Sequence, residues 1–378
     1  MIYKIRIAES VETCIEKIPD TAKILLMNNR QIGILITNVG TPDKPDEESV
    51  REYLAEFLSD QNVIDYPRWF WLPILNRIIL KRRPERSARL YQKIWLPDGS
   101  PLLLAMNQIA NKLHASLNRS TDSPHGGPGI LDEDSNNSSF SGNYHVAIGM
   151  RYGNPSLSDA IDSLLAKNID ELVVLPLYPQ DSITTTGTTL DAVHQVLDSY
   201  GSNANIRVIK DYYKHPDYIT AIAQGIREDW KTHGKTDRLL FSFHGVPLRY
   251  QKFDRYYDAC HETARLVAEE LALEEDSWQV SFQSRFGPEP WLQPYTDETL
   301  RKWGRTGVRS VGVIAPGFAV DCLETIDELG REAKEDFIGA GGEEFRYIPS
   351  LNDGDLQIDL IKTLILETAE TFNQSHCL

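Results

Sequence analysis

The sequence predicts an α/β protein made of two similar lobes, each with a four-stranded parallel sheet flanked by helices. Short aliphatic runs alternate with longer amphipathic stretches along most of the chain, and this alternation is typical of strands connected by helices in a parallel sheet. Two halves of the chain also resemble each other in sequence. The length of 378 residues fits two domains of ordinary size.

The individual elements follow from the spacing of apolar residues. We expect helices at residues 47–58, 101–117, 157–166, 256–271 and 358–372. We expect eight strands, at residues 32–37, 144–150, 171–176, 206–209, 238–243, 278–282, 309–314 and 344–348. Eight strands divided between two lobes give four strands in each sheet.

The similarity between the halves rests on three pairs of short segments. LITNVGTP at residues 35–42 matches LFSFHGVP at 240–247, and RYG at 151–153 matches RFG at 285–287. VVLP at 173–176 matches GVIAP at 312–316, in each case after an amphipathic helix. All six segments are expected at the carboxyl ends of strands, where open parallel sheets bind their ligands. A ligand cleft is therefore predicted where these edges meet.

The lobes are expected to span residues 32–215 and 216–350, with a C-terminal helix at 351–378 packing back on the first lobe. Residues 1–31 are predicted to form an N-terminal extension, because the first clean strand begins only at Ile32. Residues 119–143 are rich in Ser, Asn, Gly, Pro and Asp and have little to bury. This composition predicts a flexible surface insertion in the first lobe.

Composition excludes several classes of protein. The chain has 39 basic and 55 acidic residues and a net charge of −16, so nucleic acid is not an expected partner. Its 4 cysteines include no C-x-x-C pair, which argues against a zinc knuckle or a disulfide framework. No apolar run is long enough to cross a membrane. Without a recognisable signal peptide, a cytoplasmic location is expected.

Two segments carry candidate chemistry, and each has two interpretations. His244 follows a predicted strand at the position where the first half has Val39; it is either an imidazole satisfied by backbone or a base or metal ligand. The segment DCLETIDE at residues 321–328 begins a helix. Asp321 and Glu324 either form a capping box, or they belong with Glu328 to a carboxylate stripe that offers oxygen ligands to a cation.

A third segment is dense in aromatic residues. Residues 66–75 read YPRWFWLPIL, and Lys81, Arg82 and Arg83 follow shortly afterwards. The segment is either a core helix or an exposed apolar lip with a basic end. An exposed lip would suit a flat hydrophobic acid or a membrane surface.

Five phrases of the sequence resemble the ferrochelatase family. They are MRYG at 150–153, YPQ at 178–180, TTG at 185–187, SFHGVP at 242–247 and DCLET at 321–325. They occur in the family's order and at compatible distances, and the resemblance runs from about Ile32 to Leu360. It implies the chelatase-like fold of two Rossmann-like lobes. It also implies insertion of Fe²⁺ into protoporphyrin IX, which gives protohaem and releases two protons.

The resemblance also implies roles for individual residues. His244 and Glu324 would face each other across the cleft as catalytic residues, iron ligands and proton acceptors, and Glu328 would continue a metal or proton path. The remaining matched positions would bind the porphyrin at its propionates, at the cleft rim or along the first-lobe wall, and they are Arg83, Tyr91, Ser100, Arg151 and Tyr152. Two positions depart from the family pattern: Asp181 stands where many members have tyrosine, and Cys322 where some have histidine.

The expected partners are protoporphyrin IX and ferrous iron, with weak contact to a membrane surface. Iron would be a substrate, and no tightly bound cofactor is expected. Only Cys377 lies near the C-terminus, so no iron–sulfur cluster is expected. The sequence leaves the oligomeric state open. It also leaves open a chelatase for another tetrapyrrole and metal, and a two-lobed protein that binds porphyrin or metal without catalysis.

Overall fold

Two parallel sheets of four strands each form the centre of the molecule, as the sequence predicts. A computed structural model describes residues 30–119, 143–201, 205–252 and 254–375. The predicted N-terminal extension lies outside these residues except for its last two positions. The predicted insertion lies outside them except for its two ends.

The two sheets have the same strand order. The first contains β1 (Gln31–Thr41), β2 (Asn143–Gly153), β3 (Glu171–Pro176) and β4 (Asn205–Val208) in the order β2-β1-β3-β4. The second contains β5 (Arg238–His244), β6 (Trp278–Gln283), β7 (Ser310–Ile314) and β8 (Glu344–Ile348) in the equivalent order β6-β5-β7-β8. All six residues of β3 are buried. Helices cover both faces of such a sheet, which is why its strands read as continuous apolar runs.

The lobes also repeat details of the backbone. Gly153 and Gly287, the last residues of the matched RYG and RFG segments, have φ angles of 78° and 77°. In the first lobe the Met150 amide donates to the Pro155 carbonyl at 2.7 Å, and in the second lobe the Phe282 amide donates to the Pro294 carbonyl at 2.8 Å. Each bond closes the loop that contains the glycine. The prediction of two similarly built lobes is confirmed.

Short polar caps define where the first-lobe helices begin. The Asp46 carboxylate accepts from the Ser49 amide at 2.9 Å, and the hydroxyls of Ser100 and Ser156 accept in the same way at 3.5 and 3.1 Å. The α-helices are α1 (Glu47–Ser59), α2 (Arg68–Ile74), α3 (Leu80–Ile94), α4 (Pro101–Leu117), α5 (Leu157–Leu165) and α6 (Thr188–Tyr200). π-Helical turns precede α3 (Leu75–Ile79) and α6 (Ile183–Gly187).

The rest of the described chain contains fewer insertions between its strands. Its α-helices are α7 (Pro216–His233), α8 (Tyr256–Glu270), α9 (Thr296–Arg305), α10 (Lys334–Gly339) and α11 (Asp355–Ser375). Short 3₁₀ helices occupy Leu248–Lys252 and Glu275–Ser277, and a ten-residue π-helix occupies Glu324–Ala333. Helix α11 packs against α4 and α7. Just before α11, the Asp353 carboxylate accepts from Lys112 of α4 at 2.7 Å.

Hydrogen bonds between the lobes close the floor of the cleft. The Gln180 side chain, in the loop after β3, donates from Nε2 to the Thr263 hydroxyl of α8 at 3.0 Å. The Ser182 hydroxyl donates to the Asp254 carboxylate at 2.7 Å. Gln180 and Thr263 are 2% and 0% exposed, so their hydrogen bond is shielded from water, whereas the bond between Ser182 and Asp254 is only partly buried. The lobes are therefore joined below the cleft by buried and partly buried polar contacts.

Two arginines bridge the lobes at the edge of the cleft. Arg249, in the 3₁₀ helix after β5, forms ion pairs with Asp65 of the first lobe and with Glu289 of the second. Arg83 on α3 lies over the ring of Phe286, with its guanidinium carbon 5.2 Å from the ring centroid, which is a cation–π geometry. Both bridges hold the two lobes close together in this structure.

Candidate active site in the cleft between the lobes

His244 is the last residue of β5 and lies at the carboxyl edge of the second sheet. Its Nδ1 is 2.7 Å from the carbonyl oxygen of Gly245. A carbonyl oxygen only accepts hydrogen bonds, so Nδ1 is the donor in this contact and Nε2 is left for another partner. The ring packs near Trp291 and Phe318, with centroid separations of 6.5 and 6.4 Å. This packing presents a basic nitrogen suited to a proton or a metal ion.

Gln283, a residue for which the sequence predicts no role, links the strand of His244 to Glu324. It is the register partner of His244 in β6. Its Oε1 accepts from the Ser242 hydroxyl at 2.8 Å, and its Nε2 donates to the backbone carbonyl of Glu324 at 2.9 Å. This amide therefore ties the start of the π-helix to the edge of the second sheet.

Glu324 is the first residue of the π-helix and is half-buried. Of the two interpretations of this segment, the capping box is wrong, because the π-helix begins at Glu324 without a side-chain cap, and the Asp321 carboxylate is engaged mainly by other side chains. The donors are the hydroxyls of Thr325 and Tyr347, at 2.9 and 2.6 Å, and the amide of Asn352, at 2.8 Å. Asp321 therefore anchors the preceding loop to β8. π-Helical segments occur frequently at functional sites, and this one begins at the predicted catalytic carboxylate.

A small cavity beside Glu324 is lined by both lobes. Its volume is about 10 Å³, which is room for about one water molecule. Its polar lining consists of Thr41, Tyr53, Tyr91 and Ser100 from the first lobe and Cys322 and Glu324 from the second. Binding a larger ligand here requires the walls to move apart.

The first-lobe wall of this cavity carries neutral phenols and a nearby cation. Tyr53 and Tyr91 are each 8% exposed; burial raises the pKa of both well above its usual value, and the charge of Glu324 acts in the same direction. Both phenols therefore stay protonated and can donate hydrogen bonds. Burial lowers the pKa of Arg83, and the negative charge of Glu324 acts in the opposite direction. Ser100 lines the cavity and caps α4 at the same time.

Glu328 lies four residues beyond Glu324 in the π-helix. Its carboxylate accepts from the amide and the hydroxyl of Ser284, at 2.8 and 2.6 Å. Burial raises the pKa of Glu328 to about 7, the charge of Glu324 adds to this, and the Ser284 bonds oppose it. A carboxyl group with this pKa exchanges protons near neutral pH. Ser284 has a left-handed φ of 63°, an uncommon conformation that places both of its donors on Glu328.

Arg151 and Tyr152 close the first-lobe wall around Asp60. The Asp60 carboxylate accepts from the Tyr152 hydroxyl at 2.9 Å and also from Arg151 and Thr188. The Nε of Arg151 donates to the Thr188 hydroxyl at 2.9 Å, and Tyr152 is 1% exposed. Both residues lie at the carboxyl edge of the first sheet, and their polar groups are engaged with Asp60, for which the sequence predicts no role.

The predicted apolar lip is exposed only in part. Trp69 is 80% and Phe70 48% exposed, and these two residues are called the aromatic lip below. Ile78, in the π-helical turn after α2, is 51% exposed. Trp71, predicted to share this surface, is buried, and its indole nitrogen donates to the Leu58 carbonyl at 2.7 Å. The prediction was wrong there because one face of this short helix packs into the first lobe. None of the helices in the described ranges is long and apolar enough to span a membrane.

The predicted residues are only partly brought together. Glu324 shares one cavity with Tyr91 and Ser100, whereas His244 makes no hydrogen bond or ion pair to Glu324, and Gln283 connects their segments. Within the described ranges, no group of three or more His, Cys, Asp and Glu side chains is placed to hold a metal ion. The segments of His244 and Glu324 are therefore linked through Gln283.

Two equivalent parallel sheets meet at a cleft that carries an imidazole, carboxylates and a guanidinium, which defines a two-lobed α/β protein with a ligand cleft at the carboxyl ends of its strands. The family model described as Ferrochelatase matches residues 31–369. The chain belongs to the ferrochelatase family and is a metal chelatase, which confirms the resemblance carried by its five phrases.

Individual relatives agree with this assignment. A ferrochelatase of Nitrosococcus oceani is 44% identical over 91% of this chain and 89% of its own length. A ferrochelatase of Yersinia enterocolitica is 44% identical over 90% of this chain and 98% of its own length. Among solved structures, the sirohydrochlorin chelatase SirB from Bacillus subtilis subspecies spizizenii has a TM-score of 0.49 at 12% identity, over 90% of this chain and 96% of that one, which is too weak to bear on the site.

Proposed function

We propose that the protein inserts ferrous iron into protoporphyrin IX, giving protohaem and two protons in the last step of haem biosynthesis. The family assignment supports this activity. The structural observation that carries it is a cleft that contains the His244 imidazole together with the carboxyl groups of Glu324 and Glu328. Iron is a substrate in this proposal, and neither a resident cofactor nor an iron–sulfur cluster takes part.

His244 is proposed as the main proton acceptor. Iron replaces two pyrrole N–H protons, so a base must accept each proton as the metal binds. A neutral imidazole can accept a proton at Nε2 and pass it on to water, which suits this task. Glu328, with a pKa of about 7, is suited to relaying protons away from the cleft.

Glu324 is proposed as the carboxylate that receives the metal. Carboxylate oxygens exchange readily with the water ligands of divalent cations such as Fe²⁺. Glu328 follows four residues later and would extend this path along the π-helix.

The porphyrin is proposed to bind against the first lobe. Arg83, Tyr91 and Ser100 offer a guanidinium, a phenol and a hydroxyl, all of which bind carboxylates such as the propionates. Arg151 and Tyr152 would support the wall through Asp60. A porphyrin is far larger than the cavity beside Glu324, so the lobes must open for it. Contacts distant from the pyrrole nitrogens can then supply the energy that bends the ring and exposes them to iron.

Weak, reversible contact with a membrane surface is also part of the proposal. The aromatic lip exposes apolar side chains, and Lys81 and Arg82 are exposed nearby on α3. Each such cation contributes roughly 1 kcal/mol near an anionic bilayer. The net charge of −16 opposes firm attachment, so a largely cytoplasmic protein with peripheral contact at the inner membrane face is expected. Flotation with anionic and neutral vesicles tests this.

The direct test of the proposed function is anaerobic incubation with protoporphyrin IX and Fe²⁺, followed by absorbance. We expect the protohaem spectrum to appear at a rate proportional to enzyme concentration, and Glu324→Gln to abolish it in a folded protein. Metallation of a different tetrapyrrole alone would identify another chelatase. Tight porphyrin binding without metallation would identify a carrier. Either result would contradict the proposal.

A further inference from the structure

The two arginines that bridge the lobes at the edge of the cleft differ in their partners. Arg249 forms ion pairs with Asp65 of the first lobe and Glu289 of the second. Arg83 is half-buried, and it forms no hydrogen bond and no ion pair with any residue that the structure describes. Its guanidinium carbon lies instead 5.2 Å from the centroid of the Phe286 ring. Because a partly buried charge is normally paired with an opposite one, Arg83 remains able to bind a carboxylate that the protein itself does not supply.

The loop that carries Phe286 is anchored on the residues just before the ring. The amide and the hydroxyl of Ser284 donate to Glu328 at 2.8 and 2.6 Å. The Arg285 guanidinium donates to Glu298 of α9 at 3.0 Å. These bonds fix the backbone beside Phe286, so its ring is held over Arg83 although the side chain is 45% exposed. The contact across the cleft is therefore held in place by the second lobe.

Entry of a large ligand has to break this contact. The cavity beside Glu324 has a volume of about 10 Å³, and the bond between Gln180 and Thr263 joins the lobes at the floor of the cleft. The lobes must therefore move apart at the edge, where Arg83 of the first lobe meets Phe286 of the second. Opening separates the guanidinium from the ring. A carboxylate then binds the guanidinium more strongly than an aromatic face does, since it accepts charge-assisted hydrogen bonds.

We propose that Phe286 is a positioning residue that holds Arg83 across the closed cleft and sets the affinity for porphyrin. When the lobes open, Arg83 exchanges the Phe286 ring for a propionate of the ligand. The ring contact stabilises only the closed form, so it opposes porphyrin binding, and its removal makes binding tighter. This inference rests on the proposed function in taking a porphyrin carboxylate as the ligand of Arg83.

The first test is titration of the full-length protein with metal-free protoporphyrin IX in the absence of iron, followed by porphyrin fluorescence. Phe286→Leu keeps apolar bulk but removes the aromatic face. We expect its Kd to fall by about two- to fivefold, which corresponds to the loss of one exposed cation–π contact. The matched control Phe286→Tyr keeps the aromatic face and should retain the parent Kd. Unchanged or weaker binding by Phe286→Leu would overturn the proposal.

A double-mutant cycle with Arg83→Leu tests whether the ring acts through the guanidinium. Without the guanidinium, Phe286→Leu should leave the Kd of protoporphyrin IX unchanged. An equal gain in affinity with and without Arg83 would show that the ring acts through another group, and the proposal would fail. In steady-state kinetics, Phe286→Leu should lower the KM for porphyrin and keep kcat within about twofold of the parent, because the ring touches no reacting atom.

The dimethyl ester of protoporphyrin IX tests the exchange itself, because its propionates carry no charge. We expect the parent to bind the free acid about tenfold or more tightly than the ester, and this preference to shrink in Arg83→Leu. Equal binding of the acid and the ester by the parent would overturn the exchange.

Haem formation separates this inference from the proposed function. If Phe286→Leu tightens binding of the free acid but no haem forms with Fe²⁺, the proposed function fails and the role of Phe286 stands for a porphyrin-binding protein. If haem forms while the Kd of Phe286→Leu equals that of the parent, the role of Phe286 is refuted and the proposed function stands.

Discussion

The two lobes share one scaffold but contribute different chemistry. At the end of β1 the first lobe has Val39, and at the end of β5 the second has His244. Between its first two strands the first lobe inserts α1 to α4, whereas the second inserts a single α-helix and short 3₁₀ turns. The first lobe thus supplies apolar surface and Arg83, and the second supplies the imidazole and the π-helical carboxylates. Equivalent positions in the two lobes can therefore serve as internal controls for each other.

The acids at the two carboxyl edges extend this contrast. In the first lobe, burial acts to raise the pKa of Asp60, but hydrogen bonds from Thr188, Asn62 and Tyr152 outweigh it and the pKa is lowered. In the second lobe, burial outweighs the Ser284 bonds and raises the pKa of Glu328 to about 7. One carboxylate is held charged as a structural anchor. The other is able to exchange protons.

The largest effect is expected from His244→Ala, paired with Val39→Ala at the matching position. Loss of the proton acceptor should lower kcat by about a thousandfold, within the range for removal of a general base. Val39→Ala should stay within a few-fold of the parent. Anaerobic haem formation measures both, with melting temperature as the check on folding. Equal effects of the two changes would mean that the lobes do not divide the chemistry in this way.

Asp60→Asn should destabilise the fold by about 2 kcal/mol at neutral pH, because charge-assisted hydrogen bonds are lost. The folded pKa of Asp60 lies below its unfolded value of 3.8. The stability that the charged Asp60 contributes is therefore present above pH 3.8 and is lost as pH falls through the folded pKa. Denaturant unfolding at neutral and acidic pH measures this. A difference from the parent that persists in acid would contradict the assignment.

The effect of Glu328→Gln on the free energy of unfolding should be opposite to that of Asp60→Asn. We expect this change to stabilise the fold by about 1–3 kcal/mol above pH 7. The folded pKa of about 7 exceeds the unfolded value of 4.5, so the charged, buried form costs stability. Parent stability should fall as pH rises from 4.5 to 7, and the variant should lack this fall. The same unfolding series detects it. Parallel curves for parent and variant would show that Glu328 titrates normally.

Replacing Trp69 and Phe70 with Ser should raise the KM for protoporphyrin several-fold and leave kcat nearly unchanged. These side chains are exposed, so they are placed to guide an apolar ligand toward the cleft and not to take part in proton transfer. Steady-state kinetics with varied porphyrin separates the two constants. Trp71→Ser is the contrasting control, since loss of a buried indole should lower the melting temperature instead. A fall in kcat for the exposed pair would refute this role.

The smallest effect is expected from replacing residues 120–142 with a short Gly/Ser bridge. The Asn118 side chain donates to the Tyr144 carbonyl at 2.9 Å and accepts from the Tyr144 amide at 3.1 Å. The two ends of the replaced segment therefore lie close together, and closure entropy changes only slowly with the number of residues between them. We expect haem formation within about twofold of the parent. Loss of activity in a folded variant would show that the segment acts at the cleft.

Local patterns in the sequence predicted the scaffold but not the contacts that complete the site. All eight strands were predicted, and the central ones are the clearest because buried parallel strands are continuous apolar runs. The π-helix and the left-handed Ser284 have no comparable pattern. Gln283 and Asp60 were missed because their partners lie far away in the chain, as with the 91 positions that separate Asp60 from Arg151. The capping-box interpretation of Asp321 failed partly for the same reason, because Tyr347 and Asn352 lie 26 and 31 positions away.

The Arg249 bridge makes the spacing of the lobes sensitive to electrolyte. Asp65 and Arg249 have side-chain exposures of 40% and 36%, so dissolved ions reach this pair. Salt screens exposed charges strongly and buried ones much less. Raising the ionic strength should therefore loosen the edge of the cleft while the buried floor at Gln180 and Ser182 holds. The residence time of a ligand bound between the lobes should therefore shorten as the salt concentration increases.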